Sequence, residues 1–249
     1  MAEKTAIEWT ESTWNPVTGC TKISAGCLHC YAETFAERFR GVPGHPYEQG
    51  FDVKLWPNRL VLPSSWKAAR MIFVNSMSDL FHPQVSDEFL MRVFETMNNT
   101  LRHTFQVLTK RPERAADLAS RLRWTSNIWM GVTVERQCYV RRLDWLRQIP
   151  ADVRFVSCEP LLGPIRLKTG GLDWVIAGGE SGAHARRMDP DWIRSLRDQC
   201  IGAGLPFFFK QWGSCDESGR NVGKSKAGRV LDGVTWDAFP PQVYRAGFL

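Results

Sequence analysis

The segment Phe105-Gln106-Val107-Leu108-Thr109-Lys110-Arg111 shows the pattern that decides the fold. A short, mostly apolar run suited to a buried strand ends there in a hydroxyl and two cationic side chains. The pattern recurs, because five further runs are rich in β-branched or aromatic residues, and nearly all of them end in polar or reactive residues or are closely followed by them. These runs are residues 71–75, 128–133, 153–157, 174–177 and 206–210. Such runs are typical of strands buried on both faces of a parallel sheet.

Segments with helical spacing lie between the predicted strands. Ser86 is a predicted N-cap that is followed by two acidic residues and an apolar face running to Leu101. Asp189 followed by Pro190 predicts a second helix start. Six strands that alternate with helices indicate an α/β fold with parallel strands, either an open doubly wound sheet or a barrel.

The strand ends favour a full or partial (β/α) barrel of mostly parallel strands. Barrels collect functional groups from the carboxyl ends of many strands at one mouth, whereas an open sheet collects them at its switch point. Polar residues also follow strands simply because loops are polar. The strand-end candidates for catalysis or substrate binding are Lys110, Arg111, Glu135, Glu159, Lys210 and Gln211.

The length of 249 residues fits one main domain, which we predict over residues 1–212, with a short C-terminal extension over residues 213–249 packed on the barrel. Hydrophobic residues at 43% and charged residues at 23% exclude disorder and a coiled coil as descriptions of the chain. No apolar run approaches a membrane span, and the acidic N-terminus does not resemble a secretory signal. We expect a cytoplasmic protein with no membrane partner.

Three cysteines, Cys20, Cys27 and Cys30, lie within eleven residues and are the strongest chemical signal in the chain. Without a secretion signal, clustered cysteines favour a metal or redox role over disulfides. Zinc in a structural site requires a fourth ligand, for which His29 or His45 are the nearby candidates. A [4Fe–4S] cluster with three protein thiolates keeps one iron open for an outside ligand. Both readings, and a reading without metal, stay open on the residues alone.

The residues after the third cysteine support an anionic centre. Tyr31, Phe35 and Phe39 recur at helical spacing, so Cys30 is predicted at a helix start, where backbone amides favour negative charge. Gly19 and Gly26 give the loop the backbone freedom to wrap closely around a bulky inorganic core.

This cysteine triad, at the start of the first helix of a predicted barrel, resembles the radical S-adenosylmethionine superfamily. That superfamily has a Cys-x3-Cys-x2-Cys spacing, whereas this chain has Cys-x6-Cys-x2-Cys, with His29 where an aromatic residue is usual. The chain is also similar, over nearly its whole length, to an uncharacterised family from phages and bacterial genomes. The segments that carry this similarity are 14–20, 75–81, 159–164 and 178–182.

The resemblance implies two cofactors, a [4Fe–4S] cluster held by Cys20, Cys27 and Cys30 and S-adenosyl-L-methionine at the open iron. A Gly-Gly-Glu element contacts the methionine amino group in the superfamily, but there it follows the second strand, whereas Gly178-Gly179-Glu180 follows about the sixth. A plain turn is the competing interpretation of that element. The residues that we assign to cofactor binding are His29, Asn75, Ser76, Gly178, Gly179 and Glu180.

The positive charge of the chain is concentrated in residues 102–154, which hold eleven basic and five acidic residues. The net charge of this segment is therefore +6, which equals the net charge of the whole chain. A basic segment can follow phosphates, and it can equally be a set of solvated helix faces. The sequence therefore names nucleic acid as a candidate partner. It does not indicate the oligomeric state.

Three functions from different classes fit these features. The first is a radical S-adenosylmethionine enzyme that uses an external reductant, on a nucleic acid or nucleotide-derived substrate. The second is a zinc-stabilised nucleic-acid-binding protein. The third is an iron–sulfur electron-transfer or sensor protein without substrate chemistry.

Overall fold

Seven strands form the central sheet of the computed structural model, which describes residues 5–241. The strands of the chain are β1 (Ser12–Trp14), β2 (Val17–Thr18), β3 (Lys54–Leu55), β4 (Met71–Val74), β5 (Thr104–Thr109), β6 (Ile128–Thr133), β7 (Arg154–Cys158), β8 (Trp174–Gly178), β9 (Phe207–Gln211), β10 (Val230–Leu231) and β11 (Val234–Thr235). The central sheet has the order β1-β4-β5-β6-β7-β8-β9. The pairs β1–β4, β4–β5, β7–β8 and β8–β9 are parallel. The fold is therefore a parallel α/β half-barrel, as predicted.

Helices connect the strands in the manner of successive βαβ units. They are α1 (Tyr31–Glu37), α2 (Leu62–Ser65), α3 (Asp87–Asn98), α4 (Pro112–Leu118), α5 (Arg142–Leu146), α6 (Pro190–Gly202) and α7 (Lys224–Ala227). Both predicted caps are confirmed. The Ser86 hydroxyl accepts a hydrogen bond from the Phe89 amide, and the Asp189 carboxylate accepts one from the Asp191 amide.

The six predicted strands all form, each within one residue of the predicted bounds at either end. The seventh, β1, is absent from the prediction because two of its three residues are polar and it offers no apolar run. Ser12 and Thr13 are nevertheless buried, and Arg70 donates a hydrogen bond to the Ser12 hydroxyl over 3.2 Å. The three residues of β1 pair in parallel with residues 72–74 of β4.

Two local predictions have different outcomes. The apolar face of α3 does not extend to Leu101, because the helix ends at Asn98 and Leu101 lies in the turn before β5 with 63% of its surface exposed. An Asp-Gly pair predicts a hairpin turn, and Asp232-Gly233 forms a two-residue loop between β10 and β11. Both turn residues have positive φ, as a type I′ turn requires.

The described chain divides into two compact units, the first comprising residues 5–130 with 148–152 and the second residues 131–147 with 153–241. In the second unit, residues after 212 pack on the strands, since the Phe209 amide donates to the Trp236 carbonyl over 2.8 Å. A domain boundary after residue 212 stays a prediction. Within residues 5–241, no helix is long and apolar enough to cross a membrane.

Candidate metal centre

The cysteine loop, residues 19–30, lies in the first unit between β2 and α1. Cys20, Cys27 and Cys30 are all free thiols and all partly buried. Cys30 is the N-cap residue of α1, which confirms the predicted helix start. Gly19 has φ +84°, and a Cβ there would lie 2.2 Å from the Asp52 carbonyl oxygen, so this position requires glycine.

The Cys20 end of the loop is held by a guanidinium group from the carboxyl end of β5. Arg111 Nη1 lies 3.4 Å from Cys20 Sγ and donates to Asp79 Oδ2 over 3.0 Å. Arg111 Nη2 donates to both the carbonyl and the hydroxyl oxygen of Thr21, each over 3.0 Å. The Arg111 side chain is only 11% exposed. One side chain therefore ties two adjacent loop residues to an acidic anchor.

Asp79 is that anchor, and it is buried within the loop that follows β4. Its Oδ1 accepts hydrogen bonds from the Thr109 hydroxyl over 2.7 Å and the Phe81 amide over 3.0 Å. Its Oδ2 accepts from the Lys110 amide over 3.1 Å, in addition to Arg111. A buried carboxylate with four donors is rigidly placed. Asp79 thus connects the carboxyl ends of β4 and β5 to the cysteine loop.

His82 fixes Thr21 from a second direction. His82 Nδ1 accepts a hydrogen bond from the Gln84 amide over 3.2 Å, so Nε2 carries the proton in the neutral ring. Nε2 lies 2.9 Å from the Thr21 hydroxyl oxygen and is the donor in that contact. Burial lowers the pKa of His82, and the Arg111 charge lowers it further. The ring is therefore a neutral donor at physiological pH.

The other two thiols lie in a different electrostatic setting. Burial raises the pKa of Cys27, but the Lys110 charge and hydrogen bonds from Ile23 and Ser24 outweigh it, so the net shift is downward. Burial raises the pKa of Cys30, against opposing hydrogen bonds from the Glu33 and Ala32 amides. Burial and the Asp79 charge raise the pKa of Cys20 against the Arg111 charge. Cationic groups thus face both ends of the loop.

Asn75 and Ser76, which we assigned to cofactor binding, follow β4 directly. Asn75 has φ +61°, a strained conformation for a residue with a side chain. Its Oδ1 accepts from the Val17 amide over 3.4 Å, while its buried Nδ2 has no hydrogen-bond partner among the described residues. Asn15 Oδ1 accepts from the Ser76 hydroxyl over 3.2 Å. Both residues therefore lie against the segment that leads into the cysteine loop.

The remaining strand-end candidates lie in the second unit, where they form ion pairs and hydrogen bonds. Lys210 Nζ lies 2.7 Å from Glu159 Oε1, and Gln211 Nε2 donates to the Ser181 hydroxyl over 3.0 Å. Gln211 also approaches Glu159 Oε1 at 3.4 Å. Glu159, Lys210 and Gln211 are thus brought together, as the barrel prediction expected of residues at strand ends.

Glu135 forms a buried ion pair apart from this group. Its carboxylate lies 2.7 Å from Arg142 Nη1, with side-chain exposures of 0% and 6% for the two residues. Arg142 also donates to the Thr133 carbonyl over 2.6 Å, and its guanidinium lies 4.3 Å from the centre of the Tyr139 ring. This pair links the end of β6 to α5.

The Gly178-Gly179-Glu180 segment ends β8 and has a local structural explanation. A Cβ on Gly179 would lie 1.9 Å from the Trp212 carbonyl oxygen, so the loop after β9 requires glycine there. Both carboxylate oxygens of Glu180 accept from Arg186, over 2.9 Å from Nε and 2.5 Å from Nη2. The proposed contact of Glu180 with an ammonium stays a prediction. That contact would require the Arg186 guanidinium to move away from the Glu180 carboxylate.

The three thiols can be tested as ligands by their chemistry. No group of three or more His, Cys, Asp or Glu side chains within residues 5–241 is placed to hold a single metal ion. Zinc brings its ligands to about 2.3 Å, whereas a cluster of several irons and sulfides is larger and holds its thiolates farther apart. Three free, partly buried thiols next to Lys110 and Arg111 fit such an anionic cluster. His29, between two of them, is also partly buried.

The basic segment is largely engaged within the chain. Six of its eleven cationic side chains donate hydrogen bonds to carbonyl, hydroxyl, thiol or carboxylate groups, and these are Arg102, Arg111, Arg114, Arg121, Arg142 and Arg147. Arg123, Arg136 and Arg141 are exposed. The candidate phosphate contacts are therefore fewer than the sequence count indicates.

Several site residues were not found by sequence reasoning. Thr21 lies in the cysteine loop, His82 contacts Thr21, Asp79 holds Arg111, and Asn15 contacts Ser76, yet none of these four was predicted. Asp79 and His82 do follow a predicted strand, which is the signal that selected Arg111. An acidic residue and a histidine a few positions beyond the strand end could have been found in the same way.

The chain matches one family model and is similar to solved structures. A family model described as protein of unknown function (DUF5131) matches residues 4–240. A search of curated proteins gave no match. Among solved structures, spore photoproduct lyase complexed with dinucleoside spore photoproduct matches with a TM-score of 0.46 and 12% identity, over 74% of this chain and 58% of that one. A double variant of that lyase, with bound AdoMet and the same dinucleoside, matches with the same score and identity over 75% and 60%. The chain thus spans about three fifths of the length of these structures.

Proposed function

We propose that this chain, which belongs to the DUF5131 family of proteins of unknown function, is an iron–sulfur enzyme of the radical S-adenosylmethionine type that works with an external reductant in the cytoplasm. One observation carries the proposal. Three free, partly buried thiols lie on one loop between the first strand of a parallel half-barrel and its first helix, with cationic side chains facing both ends of the loop.

The chemistry of the proposed group is simple to state. When bound, a [4Fe–4S] cluster with one open iron would supply the reductive cleavage of S-adenosylmethionine to methionine and a 5′-deoxyadenosyl radical, with the electron coming from the external reductant. Cys20, Cys27 and Cys30 would hold this cluster. Lys110 and Arg111 would offset the negative charge of the thiolates. Asp79 would keep the Arg111 guanidinium directed at Cys20.

The cofactor-binding part of the proposal rests on the residues after β4. Asn75 Nδ2 is a buried donor that lacks a partner among the described residues, and unpaired buried donors are costly unless a ligand satisfies them. The carboxylate of S-adenosylmethionine is an acceptor of the required kind. Ser76 follows Asn75 in the same turn. The roles that we propose for His29, Gly178, Gly179 and Glu180 rest on the sequence resemblance.

The experiment is an anaerobic assay with S-adenosylmethionine and dithionite on protein reconstituted with iron and sulfide. We expect methionine and 5′-deoxyadenosine to form in equal amounts, because hydrogen abstraction converts the radical to the nucleoside. Omitting the reductant is the control and should abolish both products. A reconstituted protein that holds its cluster and gives neither product would favour the electron-transfer or sensor hypothesis.

We further propose a nucleic acid or nucleotide-derived substrate, supported by the exposed arginines Arg136 and Arg141 of the second unit. If they contact phosphates, affinity for duplex DNA should fall steeply with salt, and the R136E/R141E variant should lose about 0.9 from the log–log slope for each contact removed. Filter binding with duplex and single-stranded DNA and RNA measures this. No retention of any of them at low salt would remove this part of the proposal.

A further inference from the structure

We propose that Arg111 is a positioning residue for the cluster, which holds the Cys20 thiolate in place and raises the reduction potential of the bound group. This inference rests on the proposed function. It replaces the role of substrate contact that the strand-end position of Arg111 suggested, and it makes Asp79 part of the same device.

The contacts of Arg111 leave little of its side chain for a substrate. Nη1 is shared between Cys20 Sγ at 3.4 Å and Asp79 Oδ2 at 3.0 Å, and Nη2 is shared between the two oxygens of Thr21. The side chain is 11% exposed, and that of Asp79 is 7% exposed. A group this buried and this fully engaged positions other residues rather than binding an incoming molecule.

The geometry requires an arginine rather than any cation. The guanidinium is a planar fork with five donors, so one side chain can serve a carboxylate, a thiolate and a backbone carbonyl at once. Lysine carries the same charge on a single nitrogen and cannot span all three acceptors. Asp79 fixes the direction of the fork, because its own oxygens are held by Thr109, Phe81 and the Lys110 amide.

The same contact has an electrostatic consequence for a bound cluster. Reduction adds negative charge to an already anionic set of thiolates and sulfides, and a nearby cation or a hydrogen bond to a ligand sulfur stabilises the reduced form. Arg111 supplies both to Cys20. Without it, the buried Asp79 carboxylate would face the Cys20 thiolate with no intervening cation, and this repulsion would favour the oxidised form.

The test compares three variants of the reconstituted full-length protein. Arg111→Gln removes the charge and the fork, Arg111→Lys keeps the charge and removes the fork, and Arg123→Gln is the matched control, an exposed arginine of the same basic segment. The measurements are iron per chain and the midpoint potential from an anaerobic redox titration followed by electron paramagnetic resonance. Circular dichroism verifies that each variant is folded.

We expect the reduction equilibrium constant of the cluster to be about tenfold smaller in Arg111→Gln than in the parent. For a one-electron couple this corresponds to a midpoint potential lower by ~59 mV. Arg111→Lys should hold more iron than Arg111→Gln and have an intermediate potential, and Arg123→Gln should match the parent. If Arg111→Gln retains no cluster, the inference is tested by Arg111→Lys alone. A midpoint potential below that of the parent supports the inference, and an equal one contradicts it. A parent that holds a cluster, with Arg111 variants of unchanged iron content and potential, would overturn this inference alone. A parent that holds no cluster would overturn the proposed function with it.

Discussion

Replacing Cys27 by alanine is expected to abolish cluster binding, because two thiolates of the loop then remain for a group that needs three from the protein. Iron and sulfide per chain should fall to background after anaerobic reconstitution, and the broad visible absorption of the parent should disappear. The same result is expected for Cys20→Ala and Cys30→Ala. Since all three side chains are only partly buried, we expect these variants to fold.

The matched control for this prediction is Cys138→Ala. Cys138 is a free and exposed cysteine outside the loop, so its loss should leave iron, sulfide and absorption unchanged. Cys215→Ala, which removes a buried thiol of the second unit, should also retain the cluster. Full iron retention in Cys27→Ala would rule out the ligand assignment.

Replacing Arg142 by alanine is expected to destabilise the protein strongly, by about 3–5 kcal/mol, because it removes the guanidinium that lies 2.7 Å from the buried Glu135 carboxylate and offsets its charge. Since 1 kcal/mol corresponds to roughly 2–4 °C in Tm for a chain of this size, a thermal melt should show a large decrease. The loss includes the hydrogen bond to the Thr133 carbonyl and the contact with Tyr139.

Two variants isolate the buried charge as the cause. Arg136→Ala removes an exposed arginine a few residues away and should change Tm little. Glu135→Leu combined with Arg142→Met removes both charges and should recover most of the lost stability, since apolar pairs can replace buried ion pairs. A double variant as unstable as Arg142→Ala would show that the charge left behind is not the cause.

The strands of this fold could be predicted from the sequence because each buries a continuous apolar run. The same rule fails for β1, where Ser12 and Thr13 are buried through pairing with β4 rather than through their own hydrophobicity. Local signals predicted the caps at Ser86 and Asp189 equally well, because a cap is a contact between residues two or three positions apart. The end of α3 at Asn98, before Leu101, could not be predicted from such local signals.

In the candidate site, too, local features could be predicted and contacts between residues distant in sequence could not. The three cysteines and the helix start at Cys30 are local features and were predicted. The contact of Arg111 with Cys20 joins residues 91 positions apart, and the anchoring of Arg111 by Asp79 joins residues 32 apart. Sequence patterns identified Arg111 as functional from its place after a strand. They could not show that it points to a thiol rather than to a substrate.

The contacts of Gly179 and Glu180 change the interpretation of the Gly178-Gly179-Glu180 segment. A glycine pair before an acidic residue indicates a ligand contact in one family of enzymes, but here the Trp212 carbonyl and Arg186 explain two of the three residues. Sequence alone does not distinguish a backbone crossing from a ligand site, because both require glycine for the same steric reason.

The most direct test of the central claim is the iron, sulfide and zinc content of the wild-type protein purified and reconstituted without oxygen. We expect a brown protein with about four iron and four sulfide per chain and no stoichiometric zinc. A colourless protein that binds one zinc per chain, and retains no iron or sulfide after reconstitution, would contradict it.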